Sequence, residues 1–405
     1  MESNSIKSDE GNDNRIKWHM PAEWSKHLAC LILYPHNRAV FRGKECEFGR
    51  AAVLEVAKAI SEADEQVFLC CLNEEEVNRV QEKLKNDMKI ENKRWNIHVR
   101  VLESDDTWAR DTGPTFLTCY ENETNEDLRA INWDFNAYGG PEQGCYWPCE
   151  KDKQISDRMT KFMSDFFRLV IPIIDYSSTL NAANTNLFVL EGGSIHVDGE
   201  GTVLTTEECL LHPNRNPMMT KSQIESKLLH SLGGKKVIWL PRGLYMDEDT
   251  NGHIDNFCCF VKPGHVVLAW TNDPNDPQYE ISNDALTILK NSTDASGRKF
   301  KVTKLVNPPP LYYTNEEIRS FSVETEEHMR IEGSRLAASY VNFYIANEAI
   351  IVPGFGVHES DLKAVQTLQG LFPGRRVVQI ASREILLGGG NIHCITQQLP
   401  KPTGK

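Results

Sequence analysis

Hydrophobic and polar positions repeat along this chain in blocks of roughly 60 to 85 residues. Each block starts with two β-rich runs joined by a turn, continues with apolar residues spaced three or four apart, and ends in another apolar run. These spacings predict a hairpin, an amphipathic helix and a further strand. Three clear copies cover residues 194–240, 258–306 and 340–380, and a looser copy covers 115–174.

The two ends of the chain can supply a fifth unit. A strand at 392–396 is expected to pair with a strand at 28–33, followed by a helix at 50–62 and a strand at 66–72. Closing a radial array in this way removes exposed sheet edges. Gly-Gly-Ser-Ile-His at 192–196 also echoes Gly-Gly-Asn-Ile-His at 389–393. The pattern predicts an α/β protein of five ββαβ units.

Composition adds limits on class and location. The 405 residues are 40% hydrophobic and 25% charged, which is ample for a large core. No apolar run approaches the ~18 to 20 residues of a spanning helix, and the start of the chain is polar and acidic. We therefore expect a disordered tail over residues 1–17, a single domain over 18–400, a short tail over 401–405, and a cytoplasmic protein.

The cysteine count indicates the redox compartment, and the net charge limits the classes of binding partner. Eleven cysteines, an odd number without C-x-x-C spacing, indicate a reducing compartment. A net charge of -13 disfavours nucleic acid and anionic membranes as partners and mildly suits a cationic small molecule.

Cys394 is the cysteine whose surroundings favour reactivity. It follows three glycines and stands at a predicted strand start near the centre of the array, whereas most other cysteines lie in apolar runs typical of buried, inert thiols. His253 and Asp255 are two positions apart, so on a strand they would share one face. That pair could hold either a substrate or a metal ion.

Two carboxylates stand at predicted strand ends beside glycines. Asp111 precedes a Thr-Gly-Pro turn, and Glu191 precedes two glycines. Either could instead be a surface group, with Arg110 paired to Asp111. A closed array would bring their strand ends close to Cys394 and His253. A nucleophilic cysteine with a distant histidine and acidic partners is the leading interpretation.

The motifs at residues 108–116, 191–202, 251–256 and 388–398 resemble those of the agmatine deiminase family, especially its plant form. The resemblance runs from about Met20 to Pro400. It implies the pentein fold, a five-bladed α/β propeller with pseudo-five-fold symmetry. It also implies hydrolysis of agmatine to N-carbamoylputrescine and ammonia without a cofactor or a metal ion, which is a step of putrescine synthesis from arginine. The enzyme would be a homo-oligomer, specifically a dimer.

The resemblance also implies a role for each motif residue. The nucleophile would be Cys394, the general acid and base His253, the guanidinium-binding carboxylates Asp111 and Asp255, and the orienting acid Glu191. Further substrate contacts would come from Trp108, Asp249 and Gly390. Such residue types suit the chemistry, because paired carboxylates fix the guanidinium plane while a thiolate attacks its weakly electrophilic carbon.

Five positions depart from the family pattern, which has Trp at the first four and Gly at the last: Leu31, Tyr34, Phe41, Tyr138 and Met246. We expect none of them to touch the catalytic set. They could reshape the part of the pocket that holds the aliphatic stem and amine.

Three alternatives remain open. The first is a deiminase of another guanidine, such as arginine or peptidyl arginine. No basic residue lies beside the motifs to clamp a carboxylate, although Arg242 and Arg335 could fold in from elsewhere. The second is a metallohydrolase, in which His196-Val197-Asp198 and His253-Ile254-Asp255 chelate a divalent ion with Glu191. The third is a non-enzymatic propeller that binds proteins at its rim, against which the Asp, Glu, His and Cys set argues.

Overall fold

The computed structural model describes residues 18–119, 127–177, 186–322 and 330–403. The strands, in chain order, are β1 (Trp18–His19), β2 (His27–Leu33), β3 (Gln66–Cys71), β4 (Ile97–Val101), β5 (Thr115–Cys119), β6 (Arg129–Asn132), β7 (Ile173–Asp175), β8 (His196–Val197), β9 (Thr202–Thr206), β10 (Lys236–Leu240), β11 (Cys258–Lys262), β12 (His265–Trp270), β13 (Lys301–Val306), β14 (Tyr344–Ile345), β15 (Ala349–Gly354), β16 (Arg376–Ala381) and β17 (Thr396–Pro400). The α-helices are α1 (Glu47–Ser61), α2 (Glu74–Glu91), α3 (Ala109–Thr112), α4 (Gly140–Gln143), α5 (Ile155–Phe167), α6 (Glu207–Leu210), α7 (Lys221–Leu232), α8 (Pro277–Asn291), α9 (Asn315–Arg319), α10 (His358–Leu371) and α11 (Arg383–Leu386).

These strands form five small mixed sheets. Their orders are β17-β2-β3-β4, β1-β5-β6-β7, β8-β9-β10, β11-β12-β13 and β14-β15-β16. Every sheet contains an antiparallel pair followed, after a helix, by a parallel strand. The predicted α/β array of five ββαβ units is therefore confirmed. The first unit is closed by the chain's two ends, because β17 pairs antiparallel with β2.

Local sequence explains why individual elements form where they do. Helix α7 begins at a capping box, in which Thr220 and Gln223 satisfy each other's backbone N–H groups. It ends at Gly233, whose φ of 64° is the left-handed conformation that favours glycine. Strands β10 and β13 coincide with the predicted runs, because their apolar positions follow directly on such turn signals.

Two local predictions are wrong. Strand β17 begins at Thr396, so residues 392–395 form a turn in front of it rather than the strand itself. His253 and Asp255 do not lie on a strand, because residues Ile254–Asn256 form a single 3₁₀ turn. Both segments are short and lie next to glycines. Their apolar residues are therefore as compatible with a turn as with a strand.

The domain boundaries stay a prediction. The tail expected at residues 1–17 lies outside the described residues, as do residues 404 and 405 of the expected C-terminal tail. Within the described ranges, no helix combines the length and apolar character needed to cross a membrane.

Candidate active site

Four short segments meet at one place, and each of them precedes a strand of a different sheet. They are α3 with Asp111, the 3₁₀ turn Gly192–Ser194 after Glu191, the 3₁₀ turn Ile254–Asn256 after His253, and the turn that holds Cys394. Helix α3 packs on the first 3₁₀ turn, which packs on the second. The Arg110 N–H donates to the Cys394 carbonyl at 3.0 Å, which ties α3 to the cysteine. The structure thus brings all five predicted catalytic side chains together.

Gly193 allows this close approach. A Cβ atom there would lie 2.6 Å from His253 Nδ1 and 2.9 Å from the nearest carboxylate oxygens of Asp111 and Asp255. No side chain fits in that space. The Gly193 N–H also donates to Asp111 Oδ1 at 2.8 Å, so the backbone itself supports the carboxylate.

The Cys394 sulfur lies at the inner end of a cavity and faces two side chains. Asn342 Nδ2 lies 3.2 Å from Sγ, and Asp255 Oδ2 lies 3.7 Å from it. Burial raises the pKa of this thiol well above its usual value, and the negative charges of Asp255 and Asp111 raise it further. The direction of this shift favours the protonated thiol in the ligand-free site.

His253 lies between two carboxylates and is fully buried. Its Nδ1 is 3.8 Å from Asp111 Oδ1, and its Nε2 is 3.8 Å from Glu191 Oε2. Burial opposes a charge on the ring, but Asp111, Cys209 and Glu191 outweigh it and hold the pKa of His253 well above the usual value. The residue is an imidazolium with a proton to donate.

Glu191 is anchored by a residue that the sequence motifs did not reveal. Arg215 Nε lies 2.6 Å from Glu191 Oε1, and both side chains are inaccessible to solvent. Its N–H does not point at that oxygen, so the contact is an ion pair rather than a directed hydrogen bond. Burial works against ionisation, yet the Arg215 cation keeps the pKa of Glu191 below its usual value. Arg215 also binds the Thr250 carbonyl at 3.1 Å, next to His253.

Asp255 is held by a second buried network. His393 Nδ1 lies 2.8 Å from Asp255 Oδ2, and His393 Nε2 lies 2.9 Å from Glu23 Oε2. Burial and Arg110 oppose a charge on His393, but the two carboxylates prevail and raise its pKa. An imidazolium there keeps Asp255 ionised. The other oxygen of Asp255, Oδ1, is buried and has no hydrogen-bond partner among the described residues, so it is free to accept from a ligand.

The cavity above Cys394 has a volume of about 420 Å³. Trp108 and Gly390 form the wall beside the sulfur, and a Cβ at Gly390 would lie 2.5 Å from the indole ring. Glycine is needed there for the indole to pack this closely. Further lining residues include Asp106, Tyr138, Glu142, Asp249 and Arg330.

Asp249 lines this cavity as predicted, but it already has a partner. Arg330 Nη1 lies 2.7 Å from Asp249 Oδ2, and Arg330 Nη2 donates to the Gly388 carbonyl at 2.9 Å. A basic residue from outside the motifs thus folds in beside them, and it is Arg330. The two arginines considered from the sequence bind elsewhere, Arg242 to Glu280 and Asp284 and Arg335 to Asp276.

Tyr138 contradicts the expectation that the departing positions avoid the catalytic set. Its hydroxyl donates to Asp111 Oδ2 at 2.8 Å. Phe41 packs behind Trp108 with ring centroids 5.9 Å apart, so it supports the cavity wall from outside. Met246 adopts a φ of 68°, the left-handed conformation that a glycine takes at lower cost. Leu31 and Tyr34 are buried in the core.

A metal site built from both H-x-D motifs does not match this geometry. Asp198 Oδ1 instead accepts the N–H groups of Glu200 and Thr202 in the β8–β9 turn. In the described part of the chain, the acidic, His and Cys side chains close enough to share an ion are Glu191, Cys209 and His253, with ligand atoms within 4.8 Å of one another. Positive charge from Arg215 and the protonated His253 already borders that position, which opposes a cation there.

Comparison with known proteins agrees with the motifs. The chain matches the family described as Porphyromonas-type peptidyl-arginine deiminase over residues 19–400. The agmatine deiminase of Medicago truncatula is 47% identical over 392 residues, which cover 95% of this chain and 96% of that protein. The agmatine deiminase of Ectopseudomonas mendocina is 42% identical over 389 residues, 96% of each chain. The solved structure of the Enterococcus faecalis agmatine deiminase superposes with a TM-score of 0.81 at 35% identity and covers 95% of this chain and 96% of that one. The chain belongs to the Porphyromonas-type peptidyl-arginine deiminase family.

Proposed function

We propose that this protein hydrolyses agmatine to N-carbamoylputrescine and ammonia through an amidino-cysteine intermediate, as a step toward putrescine. The observation that carries the proposal is the facing arrangement of the Cys394 thiol, the carboxylates Asp111 and Asp255, and the His253 imidazolium at the end of an acidic cavity. Full-length relatives that are agmatine deiminases support the substrate. The Medicago relative, at 47% identity, supports the plant form of the enzyme.

The guanidinium of the substrate would bind between Asp111 and Asp255. Asp255 offers its free Oδ1, and the Asp111 carboxyl accepts hydrogen bonds from the Tyr138 hydroxyl and the Gly193 N–H. Burial raises the pKa of Asp111, while the His253 cation and the Gly193 N–H oppose that rise, and a bound guanidinium would add a further charge that favours the carboxylate. Charge-assisted hydrogen bonds from two sides fix the plane of the guanidinium, so that its carbon faces the sulfur.

Substrate binding also activates the nucleophile. The bound cation offsets the carboxylate charges that hold the Cys394 pKa high, so the thiol loses its proton to solvent. The thiolate attacks the guanidinium carbon and forms a C–S bond. His253 then donates its proton to one amino group, the C–N bond breaks, and ammonia leaves behind an amidino-cysteine.

The second half of the reaction reverses these roles. Neutral His253 removes a proton from a water molecule, whose oxygen attacks the amidino carbon. The C–S bond breaks and the thiolate is released, while the hydroxyl proton of the adduct passes to solvent, so that N-carbamoylputrescine departs as a neutral urea group and His253 keeps the proton it took from water. Glu191, held by Arg215, keeps the imidazole ring oriented through both steps.

The remaining substrate contacts follow from the cavity wall. The four-carbon stem would lie along Trp108 and Gly390, and the primary ammonium would approach Asp249. The position of Arg330 favours a second candidate substrate, free arginine, because the guanidinium of Arg330 could bind the carboxylate of that substrate. Its pairing with Asp249 opposes this, and agmatine remains the better fit.

The deciding experiment is to incubate the purified protein with agmatine and to measure ammonia and N-carbamoylputrescine. Equal amounts of both products are expected, and a parallel reaction with free arginine tests the second candidate. Absence of product from agmatine under conditions in which the protein is folded would reject the proposal.

We further propose a cytoplasmic location and a single domain over residues 18–400. No disulfide joins any of the eleven cysteines, all of which lie within the described ranges, and this suits a reducing compartment. The pairing of β17 with β2 joins both ends of the chain in one sheet, which supports one domain. A dimer stays a prediction.

A further inference from the structure

Asn342 touches the sulfur of Cys394, although it lies 52 residues away in sequence. It precedes β14, and its side chain is completely buried. The amide nitrogen Nδ2 lies 3.2 Å from Sγ, which is shorter than the 3.7 Å from Sγ to Asp255 Oδ2. No motif in the sequence marks this position as part of the site.

The orientation of the Asn342 amide follows from its other partner. The backbone N–H of His393 donates to Asn342 Oδ1 at 2.9 Å. A backbone N–H can only donate, so the atom near His393 is the amide oxygen, and the NH₂ group is left to donate to the sulfur. Oδ1 lies 3.5 Å from Sγ, so the thiol can donate to it, but the NH₂ group at 3.2 Å is the nearer contact and the one that can stabilise a thiolate.

The other groups around the sulfur explain why such a donor matters. The charged side chains that act on it, Asp255 and Asp111, both carry negative charge and oppose a thiolate. The Asn391 backbone and the Asn342 side chain are the hydrogen-bonding groups that favour the anion. Of these two hydrogen-bonding groups, only Asn342 acts through its side chain, so a substitution can remove it.

We propose that Asn342 is a further catalytic residue, whose amide stabilises the Cys394 sulfur as an anion. It acts twice. The donor supports the thiolate that attacks the guanidinium carbon, and it supports the same thiolate when the C–S bond breaks and product leaves. This assignment rests on the proposed function for its role in turnover, but the hydrogen bond to the thiolate is testable without a substrate.

The test uses two variants with matched controls. Asn342→Leu removes the donor at similar volume, and the Asn342 backbone carbonyl, 3.3 Å from the His393 N–H, remains as an acceptor. Asn342→Asp keeps an oxygen for that N–H and so retains the fold if the leucine variant does not. The controls are Asn132→Leu and Asn132→Asp, since Asn132 is equally buried but binds Asp175 and Ser177 in another sheet.

The first measurement is the pH dependence of iodoacetamide alkylation at Cys394, followed by peptide mass spectrometry. The Asn342 variants should shift the midpoint upward by about one pH unit or more, and lower kcat for agmatine about 10- to 100-fold with little change in KM, since a hydrogen bond to a charged group contributes about that much. The Asn132 variants should leave the midpoint in place.

An unchanged midpoint in a folded Asn342 variant, or an equal shift in the Asn132 variants, overturns the inference. The outcome is separable from that of the proposed function. A wild-type protein that leaves agmatine intact but shows the midpoint shift would reject the substrate and retain the role of Asn342. Agmatine hydrolysis with no midpoint shift would do the reverse.

Discussion

Selectivity for agmatine over arginine should depend on Asp249, and Asp249→Asn should change it in a defined direction. The carboxylate of Asp249 is bound by Arg330 at 2.7 and 2.9 Å, and the two side chains are 28% and 22% exposed. The substitution preserves size, removes the negative charge proposed to meet the ammonium, and releases Arg330 from its ion pair.

The expected magnitudes follow from these contacts. Losing one hydrogen bond between charged groups costs about 1.5 to 3 kcal/mol, so kcat/KM for agmatine should fall roughly 10- to 100-fold. Free arginine carries a carboxylate at the same end. In the wild type it should be disfavoured by at least ~3 kcal/mol, more than about a hundredfold, because its carboxylate meets Asp249. In the variant it meets an unpaired Arg330, and its kcat/KM should rise.

Glu142→Gln is the matched control for this experiment. Glu142 lines the same cavity and its substitution removes the same charge, while Arg330 keeps its ion pair with Asp249. The assay is kcat/KM for agmatine and for arginine in the wild type and both variants. A substrate ratio that moves equally in the two variants, or not at all in Asp249→Asn, would show that Asp249 and Arg330 do not read the far end of the substrate.

The remaining predictions concern the reacting groups. Cys394→Ser should lose nearly all turnover while its thermal unfolding stays close to wild type, because a hydroxyl ionises far less readily than a thiol; normal turnover would remove Cys394 from the mechanism. His253→Ala should block release of ammonia, because the leaving group is no longer protonated. With a slow substrate, mass spectrometry should detect the amidino adduct on the wild-type protein, which retains the imidazole; failure to see an adduct under any condition leaves the two-step scheme without support. Asp111→Asn and Asp255→Asn should each cost about 3 to 5 kcal/mol in kcat/KM, the scale for breaking a buried ion pair, and near-normal activity in either would show that its charge does not face the guanidinium. Because the Cys394 pKa is raised, the thiol stays protonated at neutral pH, so alkylation of the free enzyme should be slow near pH 7 and increase above pH 9, and a non-reactive guanidinium ligand should move that rise to lower pH; a rate that is flat from pH 6 to 10 contradicts the assignment of a resting thiol.

Much of this molecule can be predicted from local patterns in the chain. The ββαβ units appear because each hairpin, helix and strand has its own periodicity and turn residues within about a few dozen positions. Strands β10 and β13 end at residues 240 and 306, where the predicted copies end, for that reason. The motifs around Asp111, Glu191, His253 and Cys394 are also visible, since glycine beside a reactive residue type is a local signal.

The partners of those residues are decided only by tertiary structure. Glu23 reaches His393 across 370 positions, Arg330 reaches Asp249 across 81, and Asn342 reaches Cys394 across 52. The chemistry of Glu23, Arg330 and Asn342 is not visible locally, because a glutamate, an arginine or an asparagine in the sequence is compatible with a solvated surface until the units close around it.

The ionisation of the site was likewise beyond the sequence. Whether Cys394 is a thiol, His253 an imidazolium and Asp255 a carboxylate depends on burial and on the sign of the nearest charges. Both quantities exist only after the ends of the chain pair and the five sheets are assembled. The sequence by itself determined the repeat, its elements and the types of reacting group, whereas closure of the array decided which charges surround them, because electrostatic energies depend on distances in space and not along the chain.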